Sequence, residues 1–268
     1  MRVTARKDLE LEEGRVELVY ENEYTYRESS HSATGGAGSS SSYTTERTTK
    51  TDRKVVEEQR FLEAGAVAAG TPLEHTVELT IPAEAPPSAP GKITKVRWKV
   101  VATLARPRAR DVHGEAKLEV LSPPASGDPE APDVDSHGDC ELELRLDRTH
   151  FGPGDEVAGT LVANPLRDCK LNEVRVELVR HEEVPRALGN EEDVQEADAT
   201  LDGAVELAPS LPREWPFRLV LPLDLVPCLT TDHSRVRWSL KGVGSRRMRS
   251  DYRVEQPLDV HTAPSRPT

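Results

Sequence analysis

Hydrophobic and polar residues alternate in short segments along most of the chain. No window shows a sustained helical spacing, and clusters of Pro, Gly and Asp separate the segments. Short alternating segments joined by turns predict antiparallel strands that form a β-sandwich. The clearest of them are "RVELVY" (15–20), "TVELTI" (76–81), "VRWKVVATL" (96–104), "ELELRL" (141–146), "FRLVL" (217–221) and "VRWSL" (236–240).

The chain repeats itself. A displacement of roughly 140 residues places Ala64–Val120 on Ala204–Val260 without a gap, with "KVRWKV" on "RVRWSL". Because side chains alternate between the faces of a strand, Trp98 and Trp238 are predicted in the two cores. Two tandem sandwiches are therefore expected.

A second match extends the repeat toward the start of the chain. "GRVELVY" at Gly14 matches "VRVELVR" at Val174, at a displacement of roughly 160 residues, so the first copy holds about twenty additional residues. The tract "ESSHSATGGAGSSSSYTTERTTKT" accounts for the excess. Its Gly, Ser and Thr content predicts a disordered insertion at about 28–52.

The domain boundaries follow from composition. We expect a first sandwich over 1–121, a Pro-rich linker over 122–139, a second sandwich over 140–262 and a disordered tail over 263–268.

The order of elements in each copy resembles the arrestin-like proteins, in particular the bacterial branch that includes sporulation-control proteins. The shared elements are "LTIPAEAPPS" and "LVLPLDLVPC", each followed by the VRW strand, an Asp and a closing strand. The resemblance implies two immunoglobulin-like (arrestin-like) antiparallel β-sandwiches. "LRLDRTHFGPGDEVAGTLVANP" (144–165) resembles the opening of such a domain, with a Pro-Gly turn between its strands.

The first copy departs from this pattern because Met1 aligns near Val162. The opening strand and the Pro-Gly turn then have no counterpart, so the first sandwich is expected to lack its N-terminal strand. Truncation of the chain is the favoured explanation, since a lost strand exposes backbone groups and an apolar edge. A strand supplied by a partner is the alternative.

Charge and composition narrow the function classes. A net charge of -12 opposes nucleic-acid binding, and no segment has the length or hydrophobicity of a membrane span or a secretion signal. Three cysteines without CxxC spacing (Cys140, Cys169 and Cys228) indicate a reducing compartment without disulfides. A cytoplasmic protein is expected.

Catalytic motifs are absent from the sequence. It contains no GxSxG elbow, no phosphate-binding loop and no HExxH helix, so no enzyme activity, catalytic residue or cofactor is predicted. The tract "DVDSHGDC" (133–140) mixes hard and soft ligands without ordered spacing, and we predict no metal site there. The acidic run over 181–198 is interpreted as a solvated loop.

Basic residues recur at one matched place, the turn after each VRW strand. Such clusters can bind carboxylates or phosphates in bidentate fashion, while the alternative is a solubilising loop tip. The candidate docking residues are Arg106, Arg108 and Arg110 in the first copy and Arg246, Arg247 and Arg249 in the second.

These observations predict a non-catalytic adaptor or scaffold that binds protein partners through edge strands and loop tips. A phosphorylated or acidic peptide is the ligand that the basic turns favour, and the resemblance implies developmental or sporulation regulation. The alternative is a small-ligand or carbohydrate-binding accessory protein. The sequence does not define the oligomeric state.

Overall fold

The computed structural model describes residues 2–32, 42–125, 133–135, 139–187 and 189–263. Within them every regular element is a β-strand, which confirms the predicted all-β class. The strands of the first copy are β1 (Arg2–Thr4), β2 (Leu9–Leu11), β3 (Glu13–Ser32), β4 (Ser42–Leu62), β5 (Gly65–Val67), β6 (Pro72–Glu74), β7 (Ala89–Pro90), β8 (Thr94–Ala105) and β9 (Val112–Leu118). They are followed by β10 (Asp133–Asp135), β11 (Cys140–Leu146), β12 (His150–Phe151), β13 (Glu156–Pro165), β14 (Cys169–Leu171), β15 (Glu173–Val184), β16 (Asn190–Asp202), β17 (Val205–Leu207), β18 (Arg213–Val220), β19 (Leu229–Thr230), β20 (Arg235–Ser245) and β21 (Tyr252–Val260).

The chain divides into two compact units. The first comprises Met1–Tyr24, Thr49–Pro90 and Lys95–Val120. The second comprises Leu121–Thr268 together with two earlier pieces, Thr25–Thr48 and Gly91–Thr94. The domain boundaries inferred from composition stay a prediction.

The second unit contains a β-sandwich. Strands β10, β21, β20, β15 and β16 follow one another in the larger sheet, and β11, β13 and β18 form the smaller one. At Gly242 on β20, an added Cβ would lie 2.6 Å from Leu161 on β13. Glycine at this position therefore allows the two sheets to approach each other closely.

The first unit repeats several of these pairings at the displacements found in the sequence. Its β2 and β5 pair Leu9 with Val67, as β14 and β17 pair Cys169 with Leu207. Its main sheet orders β4, β3, β8 and β7, with β9 also paired to β8. The equivalent core position is filled by Trp98, which like Trp238 is 1% exposed, as predicted.

The strand β1 corresponds to the end of β13. Arg2 pairs with Glu74 on β6, just as Val162 pairs with Glu214 on β18. Among the described residues, β11, β12 and the earlier part of β13 have no counterpart in the first unit. Within its described residues, the first unit thus lacks most of the strands that form the smaller sheet of the second unit.

Three segments that were predicted to lie in the disordered insertion or in the linker form strands. Residues 28–32 and 42–52, expected to be disordered, belong to β3 and β4, because backbone pairing and Thr-rich arms sustain a ladder without apolar side chains. Residues 33–41 lie outside the described residues. Asp133–Asp135 of the predicted linker pair with β21.

The segment "TVELTI" (76–81), predicted as a strand, is not paired into a sheet. Its counterpart on β18 pairs with β13, and the corresponding part of β13 has no equivalent before β1. The missing partner explains why the alternating pattern alone predicted the wrong state.

The acidic run over 181–198 is also not a loop. It forms the end of β15 and the start of β16, joined by a turn around Arg186. Less and more exposed side chains still alternate along these strands. Charged residues occupy both faces, so the alternation is not visible in the sequence. One of these carboxylates, Glu182, is fully buried.

Glu182 binds a turn of the chain within the second unit. Its carboxylate accepts hydrogen bonds from the backbone N–H groups of Lys92 (2.9 Å), Ile93 (2.8 Å) and Thr94 (3.2 Å). It also pairs with Arg180, whose Nε donates to Glu196 at 2.8 Å. A buried charge is tolerated because every direction is occupied by donors.

Candidate functional site

The two basic turns share one backbone design. In the second copy the N–H of Arg246 donates to the carboxylate of Asp251 (3.0 Å), and Met248 adopts a positive φ of 58°. In the first copy the N–H of Arg106 donates to Asp111 (3.1 Å), and Arg108 has a φ of 56°. An Asp that closes the turn thus fixes both tips at equivalent positions.

The side chain of Arg246 is held in place at the second tip. Its guanidinium lies over the ring of Tyr252, 4.0 Å from the ring centre, and its Nε donates to the carbonyl of Ser250 at 2.6 Å. Stacking and hydrogen bonding together restrict its rotamers. At the first tip, Val112 occupies the position of Tyr252, so Arg106 has no ring beneath it, although it makes the equivalent hydrogen bond, to the Arg110 carbonyl (3.3 Å).

A groove of about 470 Å³ runs beside the second tip. It brings the three predicted arginines together with a lysine that the sequence analysis did not single out, Lys170 on β14. Two carboxylates, those of Asp139 and Asp168, also line it. The complete lining is Asp139, Asp168, Cys169, Lys170, Asn172, Arg246, Arg247, Arg249 and Tyr252.

Tyr252 lines this groove, and its hydroxyl is buried. Tyr252 is 1% exposed, and its hydroxyl is buried without a hydrogen-bond partner among the described residues. Burial raises the pKa of this hydroxyl, so it stays protonated. A buried donor without a partner is uncommon in native structures.

The six predicted arginines also differ from most of the described arginines in their ionic partners. Arg175, for example, pairs with Glu173 and Glu177. Within the described part of the chain, none of the six tip arginines pairs with a carboxylate. Lys170, by contrast, reaches Glu206 at 3.0 Å. The cationic charge of the tips is therefore available to a ligand.

The neighbouring thiols are poor nucleophiles. Burial raises the pKa of Cys140 to about 12 and also raises that of Cys169. The pKa of Cys228 is raised by burial to about 11. Thiols with such values remain protonated near neutral pH, so they give the groove no nucleophile.

The acidic tract considered for metal binding falls partly outside the described residues, including His137. Among the residues that the structure does describe, no group of three or more His, Cys, Asp or Glu side chains is placed to hold a metal ion. No helix long and apolar enough to cross a membrane occurs in the described ranges either.

Lys170 and Tyr252 are the functional candidates that the sequence analysis missed. Lys170 is distant in sequence from the tip and reaches the groove only because β14 pairs with β17 beside it. Tyr252 follows directly on the Asp that closes the turn, and an aromatic residue next to a basic cluster is a usable signal.

Comparisons with known proteins give limited information. No protein-family model matches the chain, and no curated protein matches it. Solved structures do match. One of them is the crystal structure of Spo0M, a sporulation control protein from Bacillus subtilis, at 17% identity and a TM-score of 0.41. The match covers 47% of this chain and spans 50% of that protein's chain.

Proposed function

We propose that the protein is a non-catalytic adaptor of the cytoplasm that binds an anionic segment of a partner protein at the second basic tip. The observation that carries the proposal is the groove in which Arg246, Arg247 and Arg249 lie together, with Arg246 stacked on the ring of Tyr252. Guanidinium groups bind carboxylates and phosphates in bidentate geometry. A phosphorylated or strongly acidic peptide is the ligand that fits this chemistry.

The electrostatic background favours selectivity at this place. The chain as a whole carries a net charge of -12, which repels anions at long range. An anionic ligand is therefore drawn to the local cationic groove and to few other surfaces. The first tip has the same backbone but lacks the stacked ring, so we assign it a weaker, auxiliary role.

The alternative of a carbohydrate-binding protein has little support. Such sites use exposed aromatic rings as platforms, whereas Trp98, Trp215 and Trp238 are 6% exposed or less. Developmental or sporulation control is the process that the sequence resemblance indicates, and we propose it on that ground alone.

The binding chemistry can be tested with a labelled peptide carrying two phosphoserines and its unphosphorylated form, by fluorescence anisotropy. Replacing Arg246, Arg247 and Arg249 with Ser is expected to lower affinity for the phosphopeptide by about tenfold or more, since each charge-assisted contact contributes about 1.5–3 kcal/mol. Tyr252→Phe keeps the ring beneath Arg246 and should leave the affinity nearly unchanged.

A matched control removes the same charge from elsewhere in the second unit. Arg145, Arg218 and Arg237 have side chains that are 52%, 76% and 61% exposed and do not line the groove, so replacing all three with Ser leaves it intact. Equal loss of affinity in both triple variants would show that only net charge matters and would contradict the proposal. A pull-down in which the tip variant retains every partner protein of the unmodified chain would contradict the adaptor role.

A further inference from the structure

In the second unit, the smaller sheet covers one face of the larger sheet. The equivalent face of the first unit is open. A cavity of about 510 Å³ lies there, between the main sheet and the unpaired segment 75–81. Apolar side chains dominate its lining, among them Val16, Val77, Val100 and Ala102. An apolar surface of this kind is costly to leave in water.

Equivalent positions in the two copies show how much is uncovered. On β21, Tyr252 and Val254 are each 1% exposed and Leu258 is 4% exposed. Their counterparts on β9 include Val112 at 41% and Leu118 at 37%. Two apolar side chains of β9 are therefore exposed where the described residues supply nothing to cover them, while Gly114 stands at the position of Val254.

The segment 75–81 presents a backbone edge beside this cavity. Its other edge is occupied: the carbonyl of Glu78 accepts from Gln59 (2.6 Å), and the N–H of Thr80 donates to Glu57 (2.7 Å). Exposure alternates along the segment, as in an extended chain, where successive residues direct their N–H and C=O groups to opposite edges. The backbone groups of Val77 and Leu79 therefore point to the free edge, and no described residue hydrogen-bonds to them.

The second unit shows what occupies such an edge. There β13 pairs Gly159 with Phe217 and Val157 with Leu219, the counterparts of Val77 and Leu79. Its neighbours also reach β21: β11 contacts that strand, and β12 pairs with the end of it, where Phe151 is 0% exposed. The chain thus contains its own example of the occupant, the two-stranded segment 141–160.

We propose that the open face of the first unit binds an extended two-stranded segment of a partner polypeptide, which pairs antiparallel with residues 76–80 and places aliphatic side chains over β9. The segment ends where β1 begins, because β1 already pairs with β6. Main-chain hydrogen bonds supply affinity and alternate apolar side chains supply specificity. This site is separate from the basic tip.

One difference between the copies refines the occupant. Leu104 stands where the second unit has Gly244, whose added Cβ would lie 3.8 Å from Leu142 on β11. Leu104 is 4% exposed and packs with Leu11 and Val67. Because leucine is larger than glycine, we expect a smaller residue than leucine in the occupant at the position of Leu142.

The test uses a synthetic peptide of residues 141–160 with Leu142→Ala, added to the full chain and followed by hydrogen exchange with residue resolution. We expect saturable binding and exchange at Val77 and Leu79 slowed by about tenfold or more. The same peptide carrying Val157→Asp should give no protection. The variant lacking the three arginines of the second tip should bind the peptide as the unmodified chain does, which separates this site from the proposed function.

A matched pair of variants locates binding on the chain. Val77→Asp places a charge toward the cavity and should abolish protection, while Thr76→Asp places the same charge on the exposed side and should preserve it. A second measurement uses a chimera in which the peptide sequence precedes Met1 directly. If both the free peptide and the chimera protect Val77 and Leu79, the proposal stands.

Three results would overturn it. The first is an unchanged exchange rate with peptide up to about 1 mM. The second is protection in the chimera alone, which would mean that the face accepts a strand only from its own chain. The third is protection of the untreated chain that rises with protein concentration together with dimer formation, which would identify a second copy as the occupant.

Discussion

Replacement of Glu182 by Gln is expected to destabilise the second unit strongly. The carboxylate is 0% exposed, accepts three backbone N–H groups and pairs with the 8% exposed Arg180. A glutamine amide keeps the shape of the side chain but offers a single acceptor oxygen, and its NH2 group faces the donors that the second carboxylate oxygen served. Arg180 would also lose one of its two carboxylate partners in a buried setting.

The magnitude follows from these contacts. Each hydrogen bond to a charged group contributes about 1.5–3 kcal/mol, and removing one partner of a buried pair costs about 3–5 kcal/mol. Because Glu196 still binds Arg180 and one amide oxygen still accepts, the lower end applies. We expect the free energy of unfolding to fall by about 3 kcal/mol.

The neighbouring residue provides the control. Glu183 pairs at 3.2 Å with Arg237, whose side chain is 61% exposed, so Glu183→Gln should change stability by less than about 1 kcal/mol. Urea unfolding followed by circular dichroism measures both variants, and hydrogen exchange at Lys92–Thr94 reports the local effect. A loss below about 1 kcal/mol for Glu182→Gln would refute the reasoning, because the buried carboxylate would then contribute no more than a surface ion pair.

Two further predictions concern the second unit. Hydrogen bonds to Glu255 and Asp193 raise the pKa of His181. His181 in turn lowers the pKa of Glu255 to about 2, although burial opposes this shift. Lys241 and Ser239 also face the pair. The contribution of His181 to stability is therefore complete below pH 6.5 and declines as the pH rises through its raised pKa. The contribution of Glu255 is complete above pH 4.5 and declines as the pH falls toward 2. The difference in urea midpoint between the unmodified chain and His181→Gln should shrink on the alkaline side, and parallel profiles would contradict this. Gly242→Ala should cost about 1–3 kcal/mol by forcing Leu161 away, whereas Gly203→Ala, in the same unit and with open space around it, should be nearly neutral in the same measurement.

The elements that sequence could predict are those whose partners lie in the same repeat. The VRW strands alternate clearly, and the match between copies placed Trp98 and Trp238 in their cores. Residues 76–81 have an equally clear pattern and yet form no sheet, because pairing needs a second strand that periodicity cannot report. Local pattern specifies which face of a segment is apolar, whereas hydrogen bonding depends on what lies beside it.

The candidate site shows the same division. The arginines of both tips were visible as a repeated cluster, but the stacked ring and the unsatisfied hydroxyl that distinguish the second tip depend on where Tyr252 sits in the sheet. Glu182 was assigned to a loop because acidic residues are seldom buried without partners. Its partners are backbone amides of a turn about ninety residues away in the sequence.

The Asp that closes each tip separates the shape of the turn from its charge. Asp111 and Asp251 fix the backbone, while the side chains of Arg108, Arg110, Arg247 and Arg249 are exposed and contribute nothing to the fold through ion pairs. Substitutions at those four positions can therefore add, remove or reverse charge at little cost in stability. If the tips bind an anionic ligand as proposed, single mutations can change which ligand is preferred, and the two copies can diverge in specificity on one shared turn.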